Sequence, residues 1–113
     1  MRVNNKLNSI LYAIRSESER IFGEKLVDVI LYGSYARGDY NGDSDIDIML
    51  KLDIEQSHFS KYRWEISKIT SELDMVYDVF VSVHLQENTR FEKYKDVLPF
   101  YRNVALEGVS VNG

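Results

Sequence analysis

The sequence predicts an α/β domain, a small mixed β-sheet flanked by helices. Two observations carry that class. Apolar residues recur at helical spacing in long segments near both ends and in the middle of the chain, and short apolar or alternating runs lie between them. Strands that alternate with helices favour one mixed sheet over separate helical and β layers. At 113 residues the chain can build one modest core, so a single domain spanning 1–113 is expected.

Leu7, Ile10, Leu11, Ile14, Ile21 and Phe22 mark an amphipathic helix over about 5–22, and Gly23 is placed to end it. Its apolar stripe reads as core. Leu26, Val27, Val29, Ile30 and Leu31 form a buried strand over about 26–32. Ser34 to Arg37 reads as a short helical turn, followed by a Gly38–Ser44 loop and a second strand over about 45–51. Phe59, Tyr62, Ile66, Ile69 and Leu73 share one face of a helix over about 55–73. Trp64 lies off that stripe, so it reads as an edge-of-core residue, with a partner anchor as the alternative. Val76 to Val83 alternates with period two and predicts a third strand, with Asp78 as the charge in its middle. A short helix follows at about 88–94. A last helix spans Asp96 to Leu106, with Asp96 as a possible cap, Pro99 in its first turn and Gly108 past its end. Val109 to Val111 could add a closing strand.

Composition narrows the function. A net charge of −4 argues against a general nucleic-acid binder, which would show a basic face. The absence of cysteine excludes disulfides, a thiol nucleophile and cysteine-ligated zinc. No apolar run is long enough to span a bilayer and no signal-peptide pattern opens the chain, so a soluble, cytoplasmic protein is expected.

The chemistry concentrates between Leu31 and Leu50, a stretch holding three of the six glycines. Asp45 and Asp47 alternate with Ile46 and Ile48, so on a strand both carboxylates face one way, about 6–7 Å apart. Such a pair repels and is costly to desolvate unless a cation sits between them. Gly33-Ser34 lies between a strand and a short helix, where backbone N–H groups can hold phosphate. A phosphate cradle beside a carboxylate pair points to metal-assisted phosphoryl or nucleotidyl transfer. Other motifs fail. Gly33-x4-Gly38 has P-loop glycine spacing, but Asp39 and Tyr40 stand in place of its Lys and Ser/Thr. Asp43, Asp45 and Asp47 imitate an EF-hand loop, yet Ile48 and Ile54 replace its Gly and Glu. His58 and His84 are isolated and read as surface or strand-end residues.

Gly33-Ser34 followed by Asp45-x-Asp47, with Ala36-Arg37-Gly38 and Ser44 between, resembles the signature of the polymerase-β-like nucleotidyltransferase superfamily. The fuller string is similar to its smallest members, the minimal nucleotidyltransferases, and so is the ending Phe100 to Val109. The resemblance implies a palm-like fold and transfer of AMP from ATP, as substrate, to a hydroxyl. It implies Mg²⁺, two ions, as cofactor. Asp45 and Asp47 would hold metal, and Asp78 would supply the third catalytic and metal-binding carboxylate on a separate strand, with Asp74 as runner-up. Gly33, Ser34 and Arg37 would grip the triphosphate. Minimal nucleotidyltransferases usually pair with HEPN-domain toxins, so the implied partner is such a toxin, modified on a tyrosine, and the role is that of an antitoxin. An antitoxin acting by binding alone and a small-molecule nucleotidyltransferase are the alternatives. No direct nucleic-acid or membrane partner is expected.

Overall fold

A computed structural model describes residues 5–112. The elements run α1 (Asn5–Phe22), β1 (Leu26–Tyr32), α2 (Ser34–Arg37), β2 (Ile46–Leu52), α3 (Ser60–Tyr77), β3 (Val81–Glu87), α4 (Asn88–Tyr94), α5 (Pro99–Glu107) and β4 (Val109–Ser110). The four strands form one mixed sheet in the order β3-β2-β1-β4. β1 and β2 are antiparallel, β2 and β3 parallel, and β4 is antiparallel to β1. A parallel pair needs a crossover, and α3 supplies it.

The period-two alternation of β2 divides the protein into two layers. Ile46, Ile48, Leu50 and Leu52 face one side, where they meet Ile10, Ile14 and Phe22 of α1 and Ile66 and Leu73 of α3 in the main core. Met49 faces the other side and packs with Ile30, Phe91 and Val104 beneath α4 and α5. The central strands are therefore covered on both faces along most of their length, and Asp47 emerges where that cover ends. Gly108 lets the last helix return to the sheet. A Cβ there would lie 2.5 Å from the Val104 carbonyl oxygen and 2.6 Å from Ile30 Cγ2.

α1, β1, α2 and α4 match the sequence expectation, and β2 is displaced from it by one residue. The third strand is corrected. The helical stripe runs past Leu73 to Tyr77, and the strand begins only at Val81. The parity read from sequence survives, since Val81 and Val83 face the main core. What changes is Asp78: it sits at φ 53° and ψ 55°, the left-handed residue that ends α3, and not within a strand. Aspartate tolerates that conformation better than most side chains. Asp74 fastens the same junction. Its backbone oxygen accepts from Val79 N–H, and its Oδ1 accepts from Val81 N–H at 2.8 Å. Asp96 is likewise not the cap of α5; Leu98 precedes that helix and Pro99 opens it. Trp64 is corrected from core edge to surface: it is 74% exposed, with Lys68 Nζ 5.5 Å from its ring.

Candidate active site

The site forms where β1, α2 and β2 meet. β1 delivers the chain to Gly33, which turns into α2 with φ 75° and ψ −154°. A Cβ at Gly33 would stand 2.5 Å from Asp47 Oδ2. Only glycine meets both demands, the positive φ and the approach of a carboxylate to the backbone. The Gly33 carbonyl accepts from Ala36 and Arg37 N–H, both at 3.1 Å, and closes the turn. Gly33 thus sets the turn inferred from sequence against Asp47, while Asp45 is exposed and lies just before β2 and not on the strand expected to carry it.

On the sheet, Tyr32 pairs across from Asp47, and Ser82 lies beside Asp47 on β3. Burial pushes the Asp47 carboxyl above the usual carboxylate range, and the charge of Asp45 adds to the rise; Arg37 opposes it. Tyr32 is pushed upward as well, first by its burial and then by the charge of Asp47. Two acids close enough for the charge of Asp45 to bear on Asp47, the latter reluctant to ionise, make a site that a cation would relieve.

Arg37 lies one turn beyond Ser34. It contacts Asp39 at 3.2 Å and reaches Glu107 at 3.3 Å. Its guanidinium is held above its ordinary value by the hydrogen bonds to Asp39 and then to Glu107. Tyr32, Gly33, Arg37, Phe100, Asn103, Val104 and Glu107 line a cleft of about 350 Å³ beside the turn. Tyr35 and Tyr40 stack on each other, 4.1 Å apart and 9° from parallel, while Tyr32 meets the edge of Phe100.

Among the described residues no group of three or more acids or histidines gathers as a metal site. Asp78 therefore does not join Asp45 and Asp47 in the three-carboxylate cluster expected from sequence. The helix that was to end at residue 73 continues, and it holds Asp78 at its C-terminus. Glu107 and Ser82 were missed. Glu107 comes from 70 residues beyond Arg37, a pairing that no local pattern announces. Ser82 follows from the strand register alone.

A nucleotidyltransferase-domain family model matches residues 11–110, most of the chain. The chain belongs to the nucleotidyltransferase family. It is an enzyme of that class, and its mixed sheet flanked by helices is the fold of the family. One relative, "Putative protein adenylyltransferase MJ0141" of Methanocaldococcus jannaschii, is 32% identical over 92 residues, covering 81% of this nucleotidyltransferase and 91% of the relative. A second from the same organism, "Putative protein adenylyltransferase MJ0604", is 33% identical over 84 residues, covering 74% and 76%. Among solved structures, a toxin–antitoxin with AMP-PNP superposes with a TM-score of 0.58 at 23% identity, covering 97% of this chain and 74% of that one. A "putative minimal nucleotidyltransferase" superposes with a TM-score of 0.59 at 21% identity, covering 91% and 90%. No described helix of this nucleotidyltransferase is long and apolar enough to cross a membrane.

Proposed function

We propose that this nucleotidyltransferase moves AMP from ATP to a hydroxyl of a partner protein and acts as an antitoxin. The observation that carries the reading is the close approach of Asp47 to the Gly33 turn, where a Cβ would stand 2.5 Å from Asp47 Oδ2. The names of the two relatives support a protein acceptor, and the toxin–antitoxin neighbour with AMP-PNP supports a nucleotide and a toxin partner. A HEPN-domain toxin with a tyrosine acceptor is the partner that the sequence resemblance favours.

Asp45 and Asp47 fit Mg²⁺: they supply two hard oxygen donors, and burial with the charge of Asp45 disfavours an ionised Asp47 that a cation would stabilise. Bound there, the ion would neutralise charge on the triphosphate and the departing pyrophosphate. Gly33 and Ser34 present the turn to the phosphates. Arg37, tethered by Asp39 and Glu107, adds positive charge at the rim. Transfer joins the acceptor oxygen to the α-phosphorus as the bond to the pyrophosphate oxygen breaks, and the hydroxyl proton passes from the acceptor to solvent water. The two-carboxylate set provides for one protein-held ion. A second ion would need ligands beyond Asp45 and Asp47.

A second reading, neutralisation by binding alone, is favoured by one observation: Asp78 stands apart from the pair. Incubation with ATP labelled at the α-phosphate, Mg²⁺ and a HEPN-domain toxin separates the two. The expected result is label on the partner with wild type and none with Asp45→Asn plus Asp47→Asn. An unlabelled partner that is nonetheless bound and neutralised would favour the second reading.

A further inference from the structure

We propose that the free edge of β3 is a docking site for an extended acidic segment of a partner protein, which adds to the sheet as a fifth strand. The proposal rests on the reading of a protein partner and names the surface and the chemistry by which it is held.

The phase of the ladder shows what the edge offers. Ile46 N–H donates to the Phe80 carbonyl at 2.8 Å, and Ile46 stands opposite Val81. In a parallel ladder this turns the backbone groups of Ser82, His84 and Gln86 toward β2, and those of Val81, Val83 and Leu85 outward. Val81 bears this out, because its N–H is taken by Asp74 Oδ1 and not by β2. At the far end, the Glu87 carbonyl accepts from Gln86 Nε2. Among the described residues, Val83 and Leu85 are left with donors and acceptors facing a cleft of about 490 Å³. A long edge of this kind is normally covered or blunted.

Charge selects the occupant. Arg63, on α3, lines the cleft from one side of the sheet, and Arg90, on α4, from the other. Among the described residues neither forms an ion pair; Arg90 only donates Nε to Tyr101 Oη and lies over the Tyr94 ring. Successive side chains of an added strand point to opposite faces, so two adjacent carboxylates would reach both arginines. A second copy of this chain fits poorly. β3 carries Val, Ser, Val, His, Leu and Gln before Glu87, and edge-to-edge pairing would bring arginine against arginine.

The test uses the whole chain and a fluorescent peptide of alternating Val and Thr with two adjacent glutamates at its centre. The glutamate peptide should bind. Its glutamine counterpart, and Arg63→Glu plus Arg90→Glu with the original peptide, should each bind about tenfold more weakly. Peptide should also slow amide exchange at Val83 and Leu85. Both arginines lie on the surface, so the double variant should fold, as circular dichroism would verify. Val83→Pro removes an outward N–H and no ladder bond, and it should also weaken binding. Unchanged binding by the charge-reversed variant would overturn the proposal, as would absent protection at Val83 and Leu85. Self-association that protects the same amides would assign the edge to a second copy, and displacement of the peptide by an oligonucleotide would assign it to nucleic acid; either overturns it. Asp45→Asn plus Asp47→Asn should bind peptide as wild type does. Failure of AMP transfer would therefore count against the proposed function and leave the peptide result standing.

Discussion

Gly33 and Asp47 define the candidate site at the residue scale, and each makes a separate prediction. Gly33→Ala combines a left-handed φ of 75° with a Cβ 2.5 Å from Asp47 Oδ2. The expected cost is about 1–3 kcal/mol of stability in urea unfolding, together with weakened Mg–ATP binding. A variant as stable as wild type would show that the turn relaxes freely. For Asp47 the folded-state pKa lies above its ordinary value, so the ionised form costs stability. That cost is absent when the carboxyl is protonated and sets in as pH rises from the ordinary aspartate range through the raised folded value. Asp47→Asn should therefore raise the melting temperature of the nucleotide-free protein at neutral pH. The gap from wild type should close as pH falls below the ordinary aspartate range. Because a cation needs the ionised form, Mg–ATP affinity should begin to fall at a higher pH than an unperturbed aspartate would dictate. A variant less stable than wild type at neutral pH would contradict the electrostatic account.

At the scale of elements, the junction of α3 and β3 is where sequence and structure part. The alternation of Tyr77, Val79, Val81 and Val83 was legible, and so was its face. The start of the strand was not. Residues 74–77 satisfy helical spacing with Ile66, Ile69 and Leu73 as well as they satisfy a period of two. The choice between them was made by capping, through Asp74 bonded to Val81 N–H and Asp78 in the left-handed conformation. The approach of Asp47 to the Gly33 turn was legible because one short segment carries both. Glu107 was not, because tertiary packing alone brings it to Arg37. Asp74→Ala should cost about 1–3 kcal/mol by leaving Val81 N–H without its acceptor, whereas Asp74→Asn keeps an acceptor and should cost little. Asp78→Gly suits the left-handed conformation and should preserve both fold and transfer. Loss of transfer in that variant, with Mg–ATP binding intact, would restore the acceptor-side role expected of Asp78 from sequence.

At the scale of the whole molecule, the α1 and α3 layer supplies the main core, while α4 and α5 cover the sheet face from which Asp47 emerges. The fold thus holds Asp47, with Asp45 just before β2, at the margin of a covered sheet, and the proposed function requires the two to bind metal and nucleotide together. Calorimetry of ATP binding, with and without Mg²⁺, tests this most directly in wild type and in Asp45→Asn plus Asp47→Asn. ATP should bind wild type at least about tenfold more tightly when Mg²⁺ is present, a coupling of roughly 1.4 kcal/mol or more, and the double variant should lose that gain while remaining folded. Equal ATP affinity in wild type and the double variant at saturating Mg²⁺ would contradict the assignment of Asp45 and Asp47 as the metal–nucleotide site.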